Sequence, residues 1–358
     1  MGSSHQLFRS FLLCAGIFSC SVGFIAAQPA QPVVYILATG GTIAGTGASS
    51  TAANYKPGAL GVEHLLAAVP ELSDIATVKG EHVVNISSQD MTAQLWLKLS
   101  RRINELLWQE DVAGVVITHG TDTMEETAYF LNLTVKSNKP VVLTGSMRPA
   151  TAMSADGPRN LYHAVACAAA PESKGQGVLL VMDDRIISAD DVTKTHTLDV
   201  GTFQSPNYGA IGYMYGGKPF YTRSSQKRHT IHSEFDIFCL DDLPRVEIIM
   251  GYAGADNLFI DAAIQAGVKG IVYAGVGNGN APAPALEALA LASTQDIAVV
   301  RSARLPSGPS TQGNEVDDDA LGFAASWFLN PQKSRILLML ALTKTVDYKE
   351  IQRMFWEY

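Results

Sequence analysis

The feature that most constrains this chain is a series of short, wholly apolar runs that end in loops rich in glycine and threonine. Val33 to Ala38 leads into Thr39-Gly40-Gly41, and Gly114 to Thr118, Pro140 to Thr144 and Gly177 to Met182 are runs of the same kind. A strand with one wet face alternates apolar and polar residues. A run without alternation suits a strand covered on both faces, as in a parallel sheet flanked by helices. Segments of helical period lie between the runs. Met91 to Gln109 places Leu95, Leu99, Ile103 and Leu106 on one stripe, with Asp90 as the expected N-cap. Met124 to Val135 and Gly157 to Ala170 read as further helices.

From about Gly217 to Leu243 this pattern lapses. The stretch is polar, basic in part at Lys227, Arg228 and His229, and stops at Pro244. A second set of runs follows at Val246 to Gly251, Gly270 to Ala274 and Ile297 to Arg301, with helical segments at Asn257 to Ala266, Pro284 to Ser293, Pro331 to Thr343 and Tyr348 to Trp356. Pro284 and Pro331 suit a first helical position, where the missing N–H costs nothing. The expected fold class is α/β with two domains: a larger N-terminal, mainly parallel-sheet domain over residues 28–220, a linker over 221–244, and a smaller C-terminal α/β domain over 245–358. A length of 358 residues agrees with two domains at roughly 150 residues each.

Composition narrows the function classes. Only 17% of residues are charged, the formal charge is −8, and acidic and basic residues are mixed along the chain, with no basic stripe to meet nucleic acid. The N-terminus reads as a cleavable export signal over residues 1–27. A short region ending at Arg9 precedes an apolar stretch from Phe11 to Ala27, and cleavage is expected after Ala27. At about 17 residues, broken by Ser19, Ser21 and Gly23, that stretch is short for a stable membrane span. The expected location is periplasmic or secreted. An oxidising compartment permits a disulfide between Cys167 and Cys239, but the apolar helical setting of Cys167 equally suits a buried thiol. The eight histidines show no metal-ligand spacing, so no metal and no cofactor are expected.

Three strand-to-loop junctions gather the residues with chemistry: Ala38 to Gly45, Thr118 to Thr123 and Thr144 to Pro149. In open α/β sheets ligands bind beyond the carboxyl ends of the strands, so these loops are expected around one pocket. The glycines of Gly40-Gly41-Thr42-Ile43-Ala44-Gly45 have the wrong spacing for a dinucleotide loop, and no phosphate-loop lysine follows. Gly275-Val276-Gly277-Asn278-Gly279-Asn280 is glycine-rich but weak evidence alone.

These motifs also carry a resemblance. ILATGGTIAG (Ile36 to Gly45) and ITHGTDTMEETAYFL (Ile117 to Leu131) resemble the two signature segments of the bacterial type II L-asparaginases and glutaminase-asparaginases. The similarity continues through VNISSQDM (Val84 to Met91), MSADGPRNLY (Met153 to Tyr162), DVTKT (Asp191 to Thr195), GVGNGN, EVDDD (Glu315 to Asp319) and LNPQKSRILLMLALT (Leu329 to Thr343), essentially the whole chain after the leader. The resemblance implies hydrolysis of the side-chain amide of L-asparagine, no cofactor, and a homotetramer whose active sites are shared between subunits. It implies that Thr42 and Tyr55 lie on a mobile active-site loop and that Thr121, Asp122 and Lys194 form a second catalytic cluster. By the same match Ser88, Gln89, Thr121, Asp122 and Glu315 contact substrate, Glu315 reaching a neighbour's pocket.

Amide hydrolysis needs a nucleophile, a base and donors for the developing oxyanion. A threonine hydroxyl supplies the first once a base takes its proton. Thr42 is open to activation by Tyr55, and Thr121 by Lys194; the residues leave open which threonine attacks first, with an acyl-enzyme on Thr42 favoured. Free asparagine carries an ammonium that Asp122 and Glu315 can pair with, and a carboxylate for Ser88 and backbone amides. Taken singly these residues are ordinary: a threonine after Gly-Gly is usually a turn residue, and Lys194 a solvated charge. Asp156 is expected to cap the helix after it. Two other readings stay open, an exported amino-acid-binding protein without catalysis and an enzyme that prefers glutamine. Ser88-Gln89-Asp90 resembles the asparagine-preferring members of that family, which implies a preference for asparagine.

Overall fold

The computed structural model describes Gly2 and residues 31–50, 55, 56, 58 and 61–358, so the expected leader lies, Gly2 apart, outside the described residues. An eight-stranded sheet runs in the order Lys218–Tyr221, Gly212–Tyr215, Arg185–Ser188, Val178–Met182, Val141–Thr144, Val112–Thr118, Val33–Gly40, Thr77–Ile86. The five strands from Val178–Met182 to Thr77–Ile86 are parallel, and the three at the other end are antiparallel.

The unbroken apolar runs are explained by burial on both faces. Ile36, Val116, Val142 and Leu179 pack on one face with Leu161, Ala164 and Val165 of helix Gly157–Ala169. Their neighbours Leu37, Val115, Ile117, Leu143 and Leu180 pack on the other face with helices Ala93–Trp108 and Met124–Thr134. Thr77–Ile86 lies at the sheet edge with a mixed, half-exposed pattern, which is why it does not read as a buried strand. The antiparallel turn-back comes from Asp183 and Asp184, both at positive φ (50° and 60°), a two-residue turn whose twist matches a hairpin.

A second sheet of four parallel strands follows: Val246–Met250, Gly270–Gly275, Ala298–Ala303 and Phe323–Ala325. Helices Leu258–Gln265 and Ala283–Ser293 cover one face. Helix Pro331–Ala341 packs on the other and also against helix Met124–Thr134. Its Ile336, Leu337, Leu338, Met339 and Leu340 are all buried, because it has apolar neighbours on every side. The α/β class, with a large mainly parallel sheet and a smaller C-terminal one, is as expected.

Two expected caps differ. The helix after Ser88–Asp90 starts at Ala93, and Thr92, not Asp90, accepts from the Leu95 amide at 3.3 Å. Asp90 instead closes a 3₁₀ turn, and extended Met91 separates it from the helix. Asp156 does stand at the N-cap position of Gly157–Ala169 but makes no capping bond. Its carboxylate accepts from the Met147 and Arg148 amides, both at 3.0 Å, and so shapes the 146–149 loop. Cys167 is a buried free thiol and Cys239 an exposed one. Among the described residues no helix is long and apolar enough to cross a membrane.

Candidate active site

Parallel register brings the loop-bearing strand ends to one edge. Thr118 lies opposite Ala38 on one side and Thr144 on the other. The loops are stitched as they leave the sheet: Thr39 Oγ1 donates to the Thr118 carbonyl (2.9 Å), the His119 amide to the Thr144 carbonyl (2.9 Å), and the Gly41 amide to the Ile86 carbonyl (3.2 Å). Two glycines make the approach close. Gly41 has φ +82°, and a Cβ there would sit 2.5 Å from Gly120 Cα; a Cβ on Gly120 would sit 2.7 Å from Ser88 Oγ.

Thr42, Ser88, Gln89, Thr121, Asp122 and Lys194 line one cleft of about 460 Å³. Thr42, Ser88 and Thr121 are buried, and Gln89 is exposed. Lys194 Nζ donates to Thr121 Oγ1 at 2.9 Å and to Asp122 Oδ1 at 2.6 Å. The Asp122 side chain is 62% exposed and that of Lys194 18%, so solvent screens the ion pair and its value lies in geometry more than stability. Ser88 ties two loops together: its Oγ accepts from the Asp122 amide at 3.2 Å and its carbonyl from Thr123 Oγ1 at 2.7 Å. This arrangement offers a hydroxyl touching an amine, a second hydroxyl across the cleft, and a carboxylate at the rim.

Directly behind Gly120 the His119 ring is fully buried. Its Nδ1 lies 2.7 Å from the Gly120 carbonyl and its Nε2 2.9 Å from Thr127 Oγ1, which also accepts from Trp96 Nε1 at 2.8 Å. A carbonyl can only accept, so Nδ1 carries the proton and Nε2 accepts from the threonine hydroxyl. Burial holds the imidazole down to about 4, outweighing its bond to Gly120.

The other two expected residues are Tyr55 and Glu315. Tyr55 pairs through its backbone with Gly47 in a two-stranded ribbon, and its side chain lies outside the described residues. Glu315 does not line the cleft of its own chain; it is exposed, and its Oε2 accepts from Asn280 Nδ2. Asn280 is a residue that sequence reasoning passed over within the glycine-rich turn. Arg301 anchors that turn through the Asn278 carbonyl (3.0 Å), joins it to the later loop through the Thr311 carbonyl (3.0 Å), and makes a buried two-pronged pair with Asp318. Glu125, also overlooked, is a buried carboxylate accepting from the Lys194 amide at 2.7 Å. Among the described residues no three His, Cys, Asp or Glu side chains are grouped to hold a metal ion.

The chain matches the family model described as "Asparaginase, N-terminal" over residues 33–227 and that described as "Glutaminase/Asparaginase C-terminal domain" over residues 245–355. It is 55% identical over 337 residues to L-asparaginase 2 of Escherichia coli (strain K12), covering 94% of this chain and 96% of that protein. It is 54% identical over 327 residues to a probable periplasmic L-asparaginase of Haemophilus influenzae, covering 91% and 93%. A glutaminase-asparaginase of Pseudomonas fluorescens biotype A is 49% identical over 327 residues, covering 91% and 90%. With signature motifs, two-sheet architecture and near full-length identity in agreement, the chain belongs to the asparaginase family, in its bacterial type II branch.

Proposed function

We propose that the protein hydrolyses the side-chain amide of L-asparagine to L-aspartate and ammonia, with glutamine as a minor substrate. The observation that carries this reading is the Thr121–Lys194–Asp122 contact set, sharing a cleft with Thr42 and Ser88. A binding protein has no use for a hydroxyl held against an amine beside a second buried threonine; an amidohydrolase does. In the proposed reaction Thr42 Oγ attacks the amide carbon and gives up its proton as the C–O bond forms. The C–N bond then breaks, and the nitrogen takes up a proton and leaves as ammonia. Water, its proton passing to the Thr121–Lys194 pair, attacks the resulting ester, releases aspartate and restores the Thr42 hydroxyl. Activation of Thr42 by Tyr55 is the role the family resemblance assigns. Asp122 grips the substrate ammonium, Ser88 and backbone amides hold the α-carboxylate, and Gln89 is a further substrate contact.

The same reading includes a homotetramer in which Glu315 serves a neighbour's pocket, and export to the periplasm with loss of residues 1–27. Support for sharing comes from Glu315 lying away from its own cleft, already oriented by Asn280. Mixing Thr42→Ala with Glu315→Ala protomers, dissociating and reassociating them, and assaying at asparagine well below the raised KM of Glu315→Ala should give more activity than the average of the two parents, because some pockets then hold both residues. A mixture no more active than that average refutes sharing. N-terminal sequencing of exported protein should begin at Gln28.

The experiment for the reaction is ammonia release by one purified sample from asparagine and from glutamine. Asparagine should give the higher kcat/KM. No ammonia from asparagine would sink the enzyme reading, and faster release from glutamine would overturn the preference. Glutamine as a second substrate is favoured by the identity of 46–49% to three proteins named glutaminase-asparaginase.

A further inference from the structure

Lys194 sits on a two-residue strand, Thr193–Lys194, whose antiparallel partner is the equally short Phe203–Gln204. A ribbon that short has too few ladder bonds to define a side chain's position alone. Three groups from elsewhere in the chain hold the segment residue by residue. The Val192 carbonyl accepts from Lys333 Nζ, Thr193 Oγ1 lies 3.4 Å from Asn330 Nδ2, and the Lys194 amide donates to Glu125 Oε2 at 2.7 Å. The holders are joined to one another: Asn330 Nδ2 also donates to Glu125 Oε1 at 3.1 Å, and Asn330 Oδ1 accepts from the Lys333 amide at 3.0 Å. Glu125 and Lys333 are both buried.

Glu125 lies in the first turn of helix Met124–Thr134, three residues beyond Asp122. Lys194 is thus gripped at both ends by one short stretch, its amine by Thr121 and Asp122 and its backbone by Glu125. Asn330 caps helix Pro331–Ala341, which packs on the second sheet. We propose that Glu125, Asn330 and Lys333 are positioning residues for Lys194, so that the N-terminus of helix Pro331–Ala341 sets the lysine's reach to Thr121. None of the three lines the cleft, so they act through Lys194 and not on substrate. The inference rests on the catalytic role given to Lys194 above.

The test uses Asn330→Ser and Glu125→Gln in the full-length enzyme. Serine keeps an oxygen for the helix cap but lacks the amide that reaches Glu125 and Thr193. Glutamine keeps the size of Glu125 but presents one NH₂ where two donors, the Lys194 amide and the Asn330 amide, both need an acceptor. Small misplacement of a reacting group is costly, so each variant should lower kcat at least ~10-fold while KM for asparagine stays within about threefold. In a Lys194→Met background the same substitutions should change the residual kcat less than about twofold, because there is no amine left to position. Folding is checked by circular dichroism, and Asn330→Ser stands as the milder variant if Glu125→Gln misfolds. Wild-type kcat in Asn330→Ser and Glu125→Gln, beside an impaired Lys194→Met, overturns the positioning role alone. So does an equal loss in both backgrounds, which is the mark of general loosening. Wild-type kcat in Lys194→Met overturns the reading of the site and the positioning role with it.

Discussion

His119 should make the catalytic loop acid-labile in a calculable way. Its ring is buried behind Gly120, accepts from Thr127 and donates to the Gly120 carbonyl, and burial holds it down to about 4. In the unfolded chain a histidine takes its proton near 6.5. Because the folded value is the lower one, the unfolded state binds more protons between these limits. The stabilisation is therefore complete above about pH 6.5 and is lost as pH falls toward 4. The full difference corresponds to roughly 3 kcal/mol, most of which is lost between pH 7 and pH 4.5. His119→Gln keeps an acceptor for Thr127 and cannot titrate. The assay is urea unfolding of both proteins at pH 7 and pH 4.5, at one protein concentration, followed by fluorescence. Any offset from altered packing appears at both pH values and cancels in the difference. The wild type should lose roughly 2–3 kcal/mol more than the variant across this interval. Equal losses would refute the reasoning, as would an NMR titration showing the His119 ring protonating near pH 6.5.

Thr42→Ala and Thr121→Ala should each nearly abolish turnover with circular dichroism unchanged, lowering kcat far more than affinity; wild-type rates in a folded variant remove that threonine from the mechanism. Lys194→Met should cut kcat at least ~100-fold, and an unchanged rate would return the lysine to a surface charge. Glu126 is mostly buried 4.0 Å from Arg335, and burial pushes its carboxyl up to about 7, so the folded chain holds a proton that the unfolded chain releases. Its contribution is thus most favourable below about pH 4.5 and declines until pH 7. Glu126→Gln should accordingly be more stable than wild type at pH 8, by at most roughly 3 kcal/mol, with the gain vanishing at pH 4.5; thermal unfolding showing equal gains at both pH values would exclude this cause.

What the sequence revealed and what it hid follow from how local each signal is. Strands buried on both faces announce themselves as unbroken apolar runs, so the centre of each sheet was legible. The edge strand Thr77–Ile86 has one open side and no such run, and the hairpin turn Asp183–Asp184 lacks the glycine that usually marks two positive-φ residues. Asp90 and Thr92 are both good caps, and only extended Met91 between them decides for Thr92. Thr42, Thr121, Asp122 and Lys194 were legible together because each sits in a motif. Glu125, Asn330 and Lys333 were not, since a carboxylate in a first helical turn and an asparagine before proline look like ordinary capping. Their partners lie 69 to 205 residues away in sequence. His119 was hidden for the same reason: its state depends on Trp96 and Thr127, neither of which marks a site.

The charged groups assigned to the substrate share one design, in which half of each is committed to the protein. Asp122 gives Oδ1 to Lys194, and Glu315 gives Oε2 to Asn280; among the described residues no bond reaches the second oxygen of either. Such a group is already oriented, so binding a substrate ammonium requires little rearrangement, and the remaining lone pairs define where the ammonium sits. The commitments also divide the labour. Asp122 is tied through Lys194 to Thr121 and hence to the reacting end of the substrate. Glu315 is tied to the turn of the second sheet and does not line its own chain's cleft with Thr42, Thr121 and Lys194. It can contribute to holding the ammonium, and that charge does not change as the amide reacts. An interaction equal in ground and transition states alters KM and leaves kcat alone. Glu315→Ala should therefore raise KM for asparagine more than it lowers kcat, measured by ammonia release over a range of asparagine concentrations. A loss carried mainly by kcat would mean that Glu315 acts on the reacting groups, and the division of labour drawn from these hydrogen bonds would be wrong.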